Sequence, residues 1–145
     1  MRLTRFTDYA LRVLIYLAAN DNQPATIAQI ATKFRISRNH LMKVVPELSQ
    51  QGYIIGQRGK GGGLRLAMAP EDINLGELVR AMENDWVIAE CFGDNNQCLL
   101  TPACALQPIL REALTAFLNV LDGYSLADIV NGRRGERLAG ILATS

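Results

Sequence analysis

The sequence has no apolar run long enough to cross a membrane. Its longest apolar stretch, residues 13–19, is far shorter than the roughly 20 residues that a membrane-spanning helix needs, and polar residues follow it directly. The first five residues also lack the apolar core and the cleavage site of a secretory signal. We therefore expect a cytoplasmic protein without a membrane partner.

Charged residues are also few, at 20%, whereas hydrophobic residues make up 49% of the 145 residues. This composition excludes an intrinsically disordered chain, and the length fits one domain or a small domain with an appendage. The net charge of +1 hides an asymmetry. Residues 1–65 contain ten basic and three acidic residues, a net of +7, whereas residues 66–145 contain five and eleven, a net of −6. The split predicts that the first half of the chain meets a polyanion.

Hydrophobic periodicity predicts three helices in this basic half, over about residues 6–20, 26–34 and 37–51. Pro46 lies inside the third helix, where it predicts a kink or an earlier helix end. Two strand-like runs then flank a basic, glycine-rich segment, which is typical of a β-hairpin. The order of these elements is that of a winged helix-turn-helix. We therefore predict a mainly α fold with a small β-hairpin wing.

The third predicted helix has the side chains that read DNA bases in the major groove. Arginine and asparagine make bidentate contacts with guanine and adenine, and cations of the wing reach phosphates or the minor groove. His40 is open to three interpretations: a base contact, a phosphate contact or a plain surface residue. The predicted DNA-binding residues are Arg2, Ser37, Arg38, Asn39, His40, Lys43, Arg58, Lys60, Gly61, Gly62 and Arg65. The glycine run is not a nucleotide-binding loop, because it lacks the Lys-Ser/Thr ending and no helix follows it.

The second half of the chain is predicted to contain a short helix over residues 75–82 and a long helix over about residues 103–121. The long helix has an apolar stripe that a small winged domain does not easily cover, so we predict a dimerisation helix; the alternative is the core of a monomer. The stripe comprises Leu106, Ile109, Leu110, Leu114, Phe117 and Leu121. A short helix over residues 126–130 follows, and the tail from Asn131 onward is expected to be poorly ordered.

These elements predict three parts of the chain. Residues 1–70 form the winged helix-turn-helix, residues 71–104 form a connecting helix and a cluster-binding loop, and residues 105–145 form the dimerisation helix and the tail.

All three cysteines, Cys91, Cys98 and Cys104, fall within fourteen residues. An odd number of cysteines argues against a structural disulfide framework, and clustered thiolates hold zinc or an iron–sulfur cluster. The segment contains no fourth cysteine and no histidine. Three thiolates with one oxygen or nitrogen ligand from elsewhere therefore fit better than a closed zinc site. The alternative is three unrelated cysteines, with Cys104 packing at the start of the long helix.

An iron–sulfur or zinc enzyme would need a general acid/base pair beside this site. The acidic residues of the region are scattered and have no partner histidine. They are Glu71, Asp72, Glu77, Glu83, Asp85, Glu90 and Asp94. We therefore do not expect an enzyme.

Five segments of the sequence resemble a known family. They are LTRFTDYALR (residues 3–12), SRNHL (37–41), RGKGGG (58–63), LTPAC (100–104) and YSLADIV (124–130). The chain resembles NsrR-like nitric-oxide-sensing iron–sulfur repressors, a winged-helix family that also includes IscR. The similarity extends over nearly the whole chain, to about residue 131.

The resemblance implies a homodimeric repressor of promoter DNA with nitric oxide as its effector. It also implies an iron–sulfur cluster, with [4Fe-4S] favoured and [2Fe-2S] as the alternative, held by the three cysteines and by Asp8 of the partner subunit. From the residues alone, Asp8 is only a charge near a helix N-terminus. Two related functions stay open: a sensor of redox state or iron supply with a [2Fe-2S] cluster, and a regulator that is active without a cluster.

Overall fold

The computed structural model describes residues 2–144, which form seven α-helices and one antiparallel two-stranded sheet. The helices are α1 (Arg5–Ala19), α2 (Ile27–Phe34), α3 (Arg38–Gln50), α4 (Leu75–Met82), α5 (Leu106–Asp122), α6 (Leu126–Val130) and α7 (Gly132–Ala143), and the strands are β1 (Ile54–Gln57) and β2 (Gly63–Leu66). Short 3-10 turns occur at Pro70–Asp72, Glu90–Phe92 and Thr101–Ala103. None of the helices in this part of the chain has the length and apolarity to span a bilayer.

Local capping starts the first two helices where the sequence predicts. The Thr4 hydroxyl accepts a hydrogen bond from the backbone N–H of Thr7 at 3.3 Å, and Thr26 forms a capping box with Gln29 at the start of α2. α3 continues through Pro46 to Gln50, so the helix does not end early. A single proline removes one backbone donor, and the buried side chains of α3 keep the helix in place.

One hydrophobic core joins α1, α2, α3 and the hairpin. α1 contributes four residues to it that are completely shielded from solvent, and residues beyond the hairpin belong to the same core. The later contributors are Ile73, Leu78, Met82 and Leu126. The mainly helical fold with a hairpin wing is thus confirmed. The predicted division of the chain at residues 70 and 104 stays a prediction.

The wing is held beside the helix-turn-helix by its own backbone. Ala25, in the loop between α1 and α2, exchanges two hydrogen bonds with Leu64 of β2, at 3.1 and 2.8 Å. Gly63 permits this approach, because a Cβ atom there would lie 2.9 Å from the backbone of Ala25. β1 and β2 pair from Ile54 opposite Leu66 to Gln57 opposite Gly63.

α5 packs against α4 and then returns the chain to the core. Arg80 of α4 forms an ion pair with Asp122 at the end of α5, and the hydrogen bonds from this guanidinium lower the pKa of Asp122 below its ordinary value. The Asn74 amide donates to the carbonyl of Asp122 at 2.7 Å, and the N–H of Leu126 donates to the carbonyl of Ile73 at 2.9 Å. These bonds fix where α6 meets α1. α5 begins at Leu106, three residues later than predicted, because Thr101–Ala103 form a separate 3-10 turn.

Residues Gly132–Ala143 of the tail form a helix, so the expectation of poor order is wrong for them. α7 packs against α6 and α1. Gly135 allows the close packing, because a Cβ atom at this position would overlap the carbonyl oxygen of Val130. The expectation gave weight to the glycines and arginines of the segment and missed the partly buried helix face that includes Leu138 and Leu142.

Candidate nucleic-acid interface and metal centre

The exposed face of α3 carries the predicted base-reading side chains. Arg38, Asn39, His40 and Lys43 are all exposed, while the opposite face of the helix is buried in the core. Because α3 begins at Arg38, three of these residues lie in its first turn. That end of a recognition helix is the part that reaches base edges in helix-turn-helix proteins.

Ser37 occupies the N-cap of α3, but its side chain makes no capping hydrogen bond. The Ser37 carbonyl accepts from the N–H of Leu41 at 3.3 Å, so the helix is started by its backbone alone. The Ser37 hydroxyl and the first N–H groups of α3 are thus available to a phosphate, which the N-terminus of a helix favours.

His40 also contacts α1. Its ring centroid lies 5.9 Å from that of Tyr9, at an interplanar angle of 42°. Arg5 and Lys43 line the same small cavity between the two helices. α3 therefore packs against the first turns of α1 beside the cations Arg5 and Lys43.

The wing presents cations at its tip and one on β2. Arg58, Lys60 and Gly61 are exposed, and Gly62 is half-buried in the turn, where its N–H donates to the carbonyl of Gly59 at 3.0 Å. Within the described residues, the Nε of Arg65 is buried and has no hydrogen-bond partner. Arg2 is exposed ahead of α1.

Sequence reasoning missed two residues that position these surfaces. Asn22, in a left-handed backbone conformation, accepts from the N–H of Leu66 at 2.6 Å and so holds β2 against the turn after α1. The tolerance of asparagine for this conformation is the only signal that could have indicated it. The second missed residue is Glu83, whose hydrogen-bond partners are far from it in the sequence.

Glu83 is a buried carboxylate, 5% exposed, that joins the end of α4 to the start of α1. Its Oε2 accepts from the Thr4 N–H at 3.0 Å, the Thr4 hydroxyl at 3.1 Å and the Thr7 hydroxyl at 2.6 Å. Glu83 also begins the stretch of residues 83–105 that contains all three cysteines, which we call the cysteine segment. The cysteine segment is therefore attached to the winged helix at its first residue.

The three cysteines are free and half-buried, and none belongs to the hydrophobic core. Their backbones are held in place. The Gln107 amide of α5 donates to the carbonyl of Cys91 at 2.9 Å, and the Thr101 hydroxyl donates to the carbonyl of Cys98 at 2.9 Å. Cys104 follows directly on the 3-10 turn that contains Thr101. The alternative of three unrelated cysteines, with Cys104 packing at the start of the long helix, stays a prediction.

The single chain does not bring these thiols and Asp8 into one group. Between residues 2 and 144, no three His, Cys, Asp or Glu side chains are close enough together to hold a metal ion. Asp8 lies in the first turn of α1 and is paired with Arg12, with Arg12 Nε 3.1 Å from Asp8 Oδ1 and Nη2 2.9 Å from Oδ2. Both side chains are more than 40% exposed.

The predicted dimerisation stripe is largely uncovered. None of the residues of α5 is buried, Leu106 and Ile109 are 57% and 59% exposed, and the other four stripe residues are half-buried. A helix of 17 residues with a continuous apolar face and no buried residue has a surface that a second protein surface can cover.

The chain is similar to known transcriptional regulators. A family model described as Rrf2, iron-dependent transcriptional regulator, matches residues 3–132. The HTH-type transcriptional regulator NsrR of Bacillus subtilis is 53% identical over 135 residues, which cover 92% of each chain. Among solved structures, T. potens IscR superposes with a TM-score of 0.69 at 21% identity, covering 90% of this chain and 86% of IscR. CymR, the global cysteine regulator of B. subtilis, superposes with a TM-score of 0.67 at 24% identity, covering 89% and 95%.

Proposed function

Because this chain belongs to the Rrf2 family of iron-dependent transcriptional regulators, we propose that it is a homodimeric repressor that senses nitric oxide through an iron–sulfur cluster. Family membership makes it a transcriptional regulator, and the prediction that it is not an enzyme is confirmed. The proposal concerns the steps beyond that: promoter DNA as the ligand, the cluster and its ligands, the dimer and the effector.

The observation that supports the proposal most is the attachment of the cysteine segment to the winged helix through Glu83. A sensor must change the DNA-binding unit when its ligand changes. Here the first residue of the cysteine segment is hydrogen-bonded to Thr4 and Thr7. Thr7 directly precedes Asp8 on α1, and Tyr9 of the same helix contacts His40 of α3. A displacement of the segment therefore has a short route to the recognition helix.

The chemistry of the donors fits an iron–sulfur cluster, and to hold one the three thiols would have to come closer together than they lie in the single chain. Thiolates are the usual cluster ligands, and Cys91, Cys98 and Cys104 are free, partly exposed and in one backbone-anchored segment. We propose that these three cysteines hold the cluster and that Asp8 of the partner subunit supplies the fourth ligand. When bound, the cluster would supply iron that reacts with nitric oxide. A carboxylate is a harder and weaker ligand than thiolate, so an iron held by Asp8 would be the one more open to attack.

In this proposal the Asp8 carboxylate has two alternative partners, Arg12 and the cluster. Its pair with Arg12 is half-exposed and four residues apart on one helix, and such pairs contribute only about 0.3–0.5 kcal/mol. Release from Arg12 is therefore a small cost for ligation. If the cluster were lost, the Asp8 carboxylate would return to the Arg12 guanidinium, so that Asp8 would alternate between the two partners.

The uncovered stripe of α5 supports the homodimer. Two copies joined along it place two recognition helices on one DNA duplex, whose half-sites lie one helical turn, about 34–36 Å, or a multiple apart. A 100-fold loss of DNA affinity requires only about 2.7 kcal/mol of coupling between the cluster and the DNA site. A modest shift in the register of the two α3 helices is sufficient for that.

The test uses full-length protein purified without oxygen. We expect visible absorption from the cluster, binding to a duplex of its promoter, and loss of that binding as nitric oxide is added in steps. Colourless protein whose DNA binding ignores nitric oxide would contradict the sensing proposal. Iron-to-sulfide stoichiometry with electron paramagnetic resonance separates [4Fe-4S], which we favour, from [2Fe-2S].

Matched variants separate the ligands from their surroundings. Asp8→Ala is expected to change the absorption spectrum and weaken DNA binding, while Asp94→Ala, an exposed acid within the cysteine segment, leaves both unchanged. Equal effects of the two substitutions would remove Asp8 from the ligand set. Ile109→Asp is expected to reduce the mass measured by sedimentation from that of a dimer to about 16 kDa.

A further inference from the structure

Met42 is an exposed apolar residue on the otherwise polar reading face of α3. It is 54% exposed, and only one other large apolar side chain among the described residues up to Leu66, Ile55, is as exposed. The remaining exposed apolar residues lie in the cysteine segment or beyond it. The exposure of Met42 is therefore separate from the proposed dimer surface.

The position of Met42 on the helix places it among the base-reading residues. Side chains three and four positions apart share a helix face, so Met42 lies beside Arg38 and Asn39 on one side and the exposed Pro46 on the other. The first two turns of α3 contain no acidic residue. An apolar side chain within a cationic face is suited to a polyanion that also offers an apolar group.

The major groove of DNA offers one such group. Thymine alone among the bases carries a methyl group there, and apolar side chains discriminate it by direct contact. We propose that Met42 contacts the C5-methyl group of a thymine in each half-site, and that it thereby sets a thymine preference that the polar residues of α3 do not specify. This inference rests on the proposed DNA-binding function and names the base class that the site recognises.

Helix geometry limits where that thymine lies. Asn39 and Met42 are separated by three residues, or about 4.5 Å along the helix axis, against about 3.4 Å between base pairs. Asparagine pairs with adenine. For a recognition helix in the major groove, the thymine that Met42 contacts is therefore within about two base pairs of the adenine that Asn39 reads.

Deoxyuracil tests the contact directly, because it removes the methyl group and keeps every hydrogen-bonding atom of thymine. The probe is a duplex selected from a random-sequence library by the oxygen-free holoprotein, with each thymine replaced in turn in both half-sites. Burial of one methyl group predicts about a fourfold loss of affinity per half-site, or roughly 15-fold for the dimer, at one or two positions. Binding is measured by fluorescence anisotropy.

Three variants assign the effect to the side chain. Met42→Ala is expected to bind the thymine duplex about as weakly as the wild type binds the uracil duplex, and to lose nothing more when uracil is introduced. Met42→Leu keeps an apolar contact and retains a preference for thymine. Ile141→Ala, on α7 and 60% exposed, is the matched control and keeps the full wild-type preference.

The outcomes distinguish this inference from the proposed function. Failure of the holoprotein to select any duplex overturns both. Selection of a duplex whose thymines all tolerate uracil, or a Met42→Ala variant that still loses affinity on uracil, overturns only the role of Met42. Dissociation of the dimer by Met42→Ala, detected by sedimentation, would show that this surface contacts protein and would also overturn it.

Discussion

Replacement of Glu83 by alanine tests the connection between the cysteine segment and the winged helix. The substitution removes the carboxylate that accepts three hydrogen bonds from Thr4 and Thr7. Thr7 is completely buried, so water does not replace the lost acceptor. We expect the free energy of unfolding to fall by about 2–4 kcal/mol.

The magnitude follows from which donors lose their partner. Loss of the acceptor of a buried donor costs about 1–3 kcal/mol. The Thr7 hydroxyl is such a buried donor, whereas Thr4 is exposed and its N–H can turn to water. The hydroxyls of Thr4 and Thr7 also lie 3.1 Å apart and can pair with each other. The expected total is therefore below the sum for three lost bonds. In a protein of this size it corresponds to a decrease of roughly 5–15 °C in Tm.

Chemical denaturation of the apo-protein, followed by circular dichroism, measures the change. Glu136→Ala removes an exposed glutamate of α7 and is expected to stay within about 0.5 kcal/mol of the wild type. Glu83→Gln keeps an acceptor oxygen and is expected to fall between the two. If Glu83→Ala were as stable as Glu136→Ala, the three hydrogen bonds would carry no net stability and the argument for this attachment would be lost.

Three further predictions concern stability, pH and salt. Leu126→Ala, at a completely buried site in α6, should cost about 2–5 kcal/mol in denaturation, whereas Leu99→Ala, at 95% exposure, should cost almost nothing; equal costs would place α6 outside the core. Because the pKa of Asp122 is lowered from 3.8 in the folded protein, the ionised carboxylate stabilises the fold at neutral pH. The wild type should therefore be more stable than Asp122→Asn at neutral pH, and this difference should vanish as the apo-protein is acidified through the folded pKa. A difference that persists in acid would refute this. Lys60→Ala should reduce the salt dependence of DNA binding by about one phosphate contact, and an equal effect of Arg133→Ala on α7 would contradict a specific role for the wing.

The elements that follow from local chemistry were predictable. Thr4 and Thr26 start their helices with side-chain caps, and the glycine-rich basic run forms the tip of a hairpin. These signals lie within a few residues of the structure that they determine, because caps and turns satisfy the backbone of the adjacent residues. The exposed reading face of α3 follows in the same way from the period of its buried residues.

The features that depend on distant parts of the chain were not predictable. α7 packs closely against α6 because Gly135 has no Cβ atom, whereas the sequence of α7 alone indicated a poorly ordered tail. Glu83 acts through residues 76 and 79 positions away in the chain, and Asn22 through a residue 44 positions away. A single sequence records such pairs only as polar residues without a partner. The role of Asp8 likewise came from the family resemblance, since among the described residues its carboxylate pairs locally with Arg12.

The cysteine segment is held in different ways at its two ends. At its start, Glu83 is buried and makes its bonds within the fold. Beyond its end, α5 is joined to α4 through Arg80 and Asp122, whose side chains are more than a third exposed. Exposed ion pairs contribute little and weaken with salt, whereas bonds to a buried carboxylate are costly to break. We therefore expect a movement of the segment to be transmitted through Glu83 to α1, whose Tyr9 contacts the recognition helix.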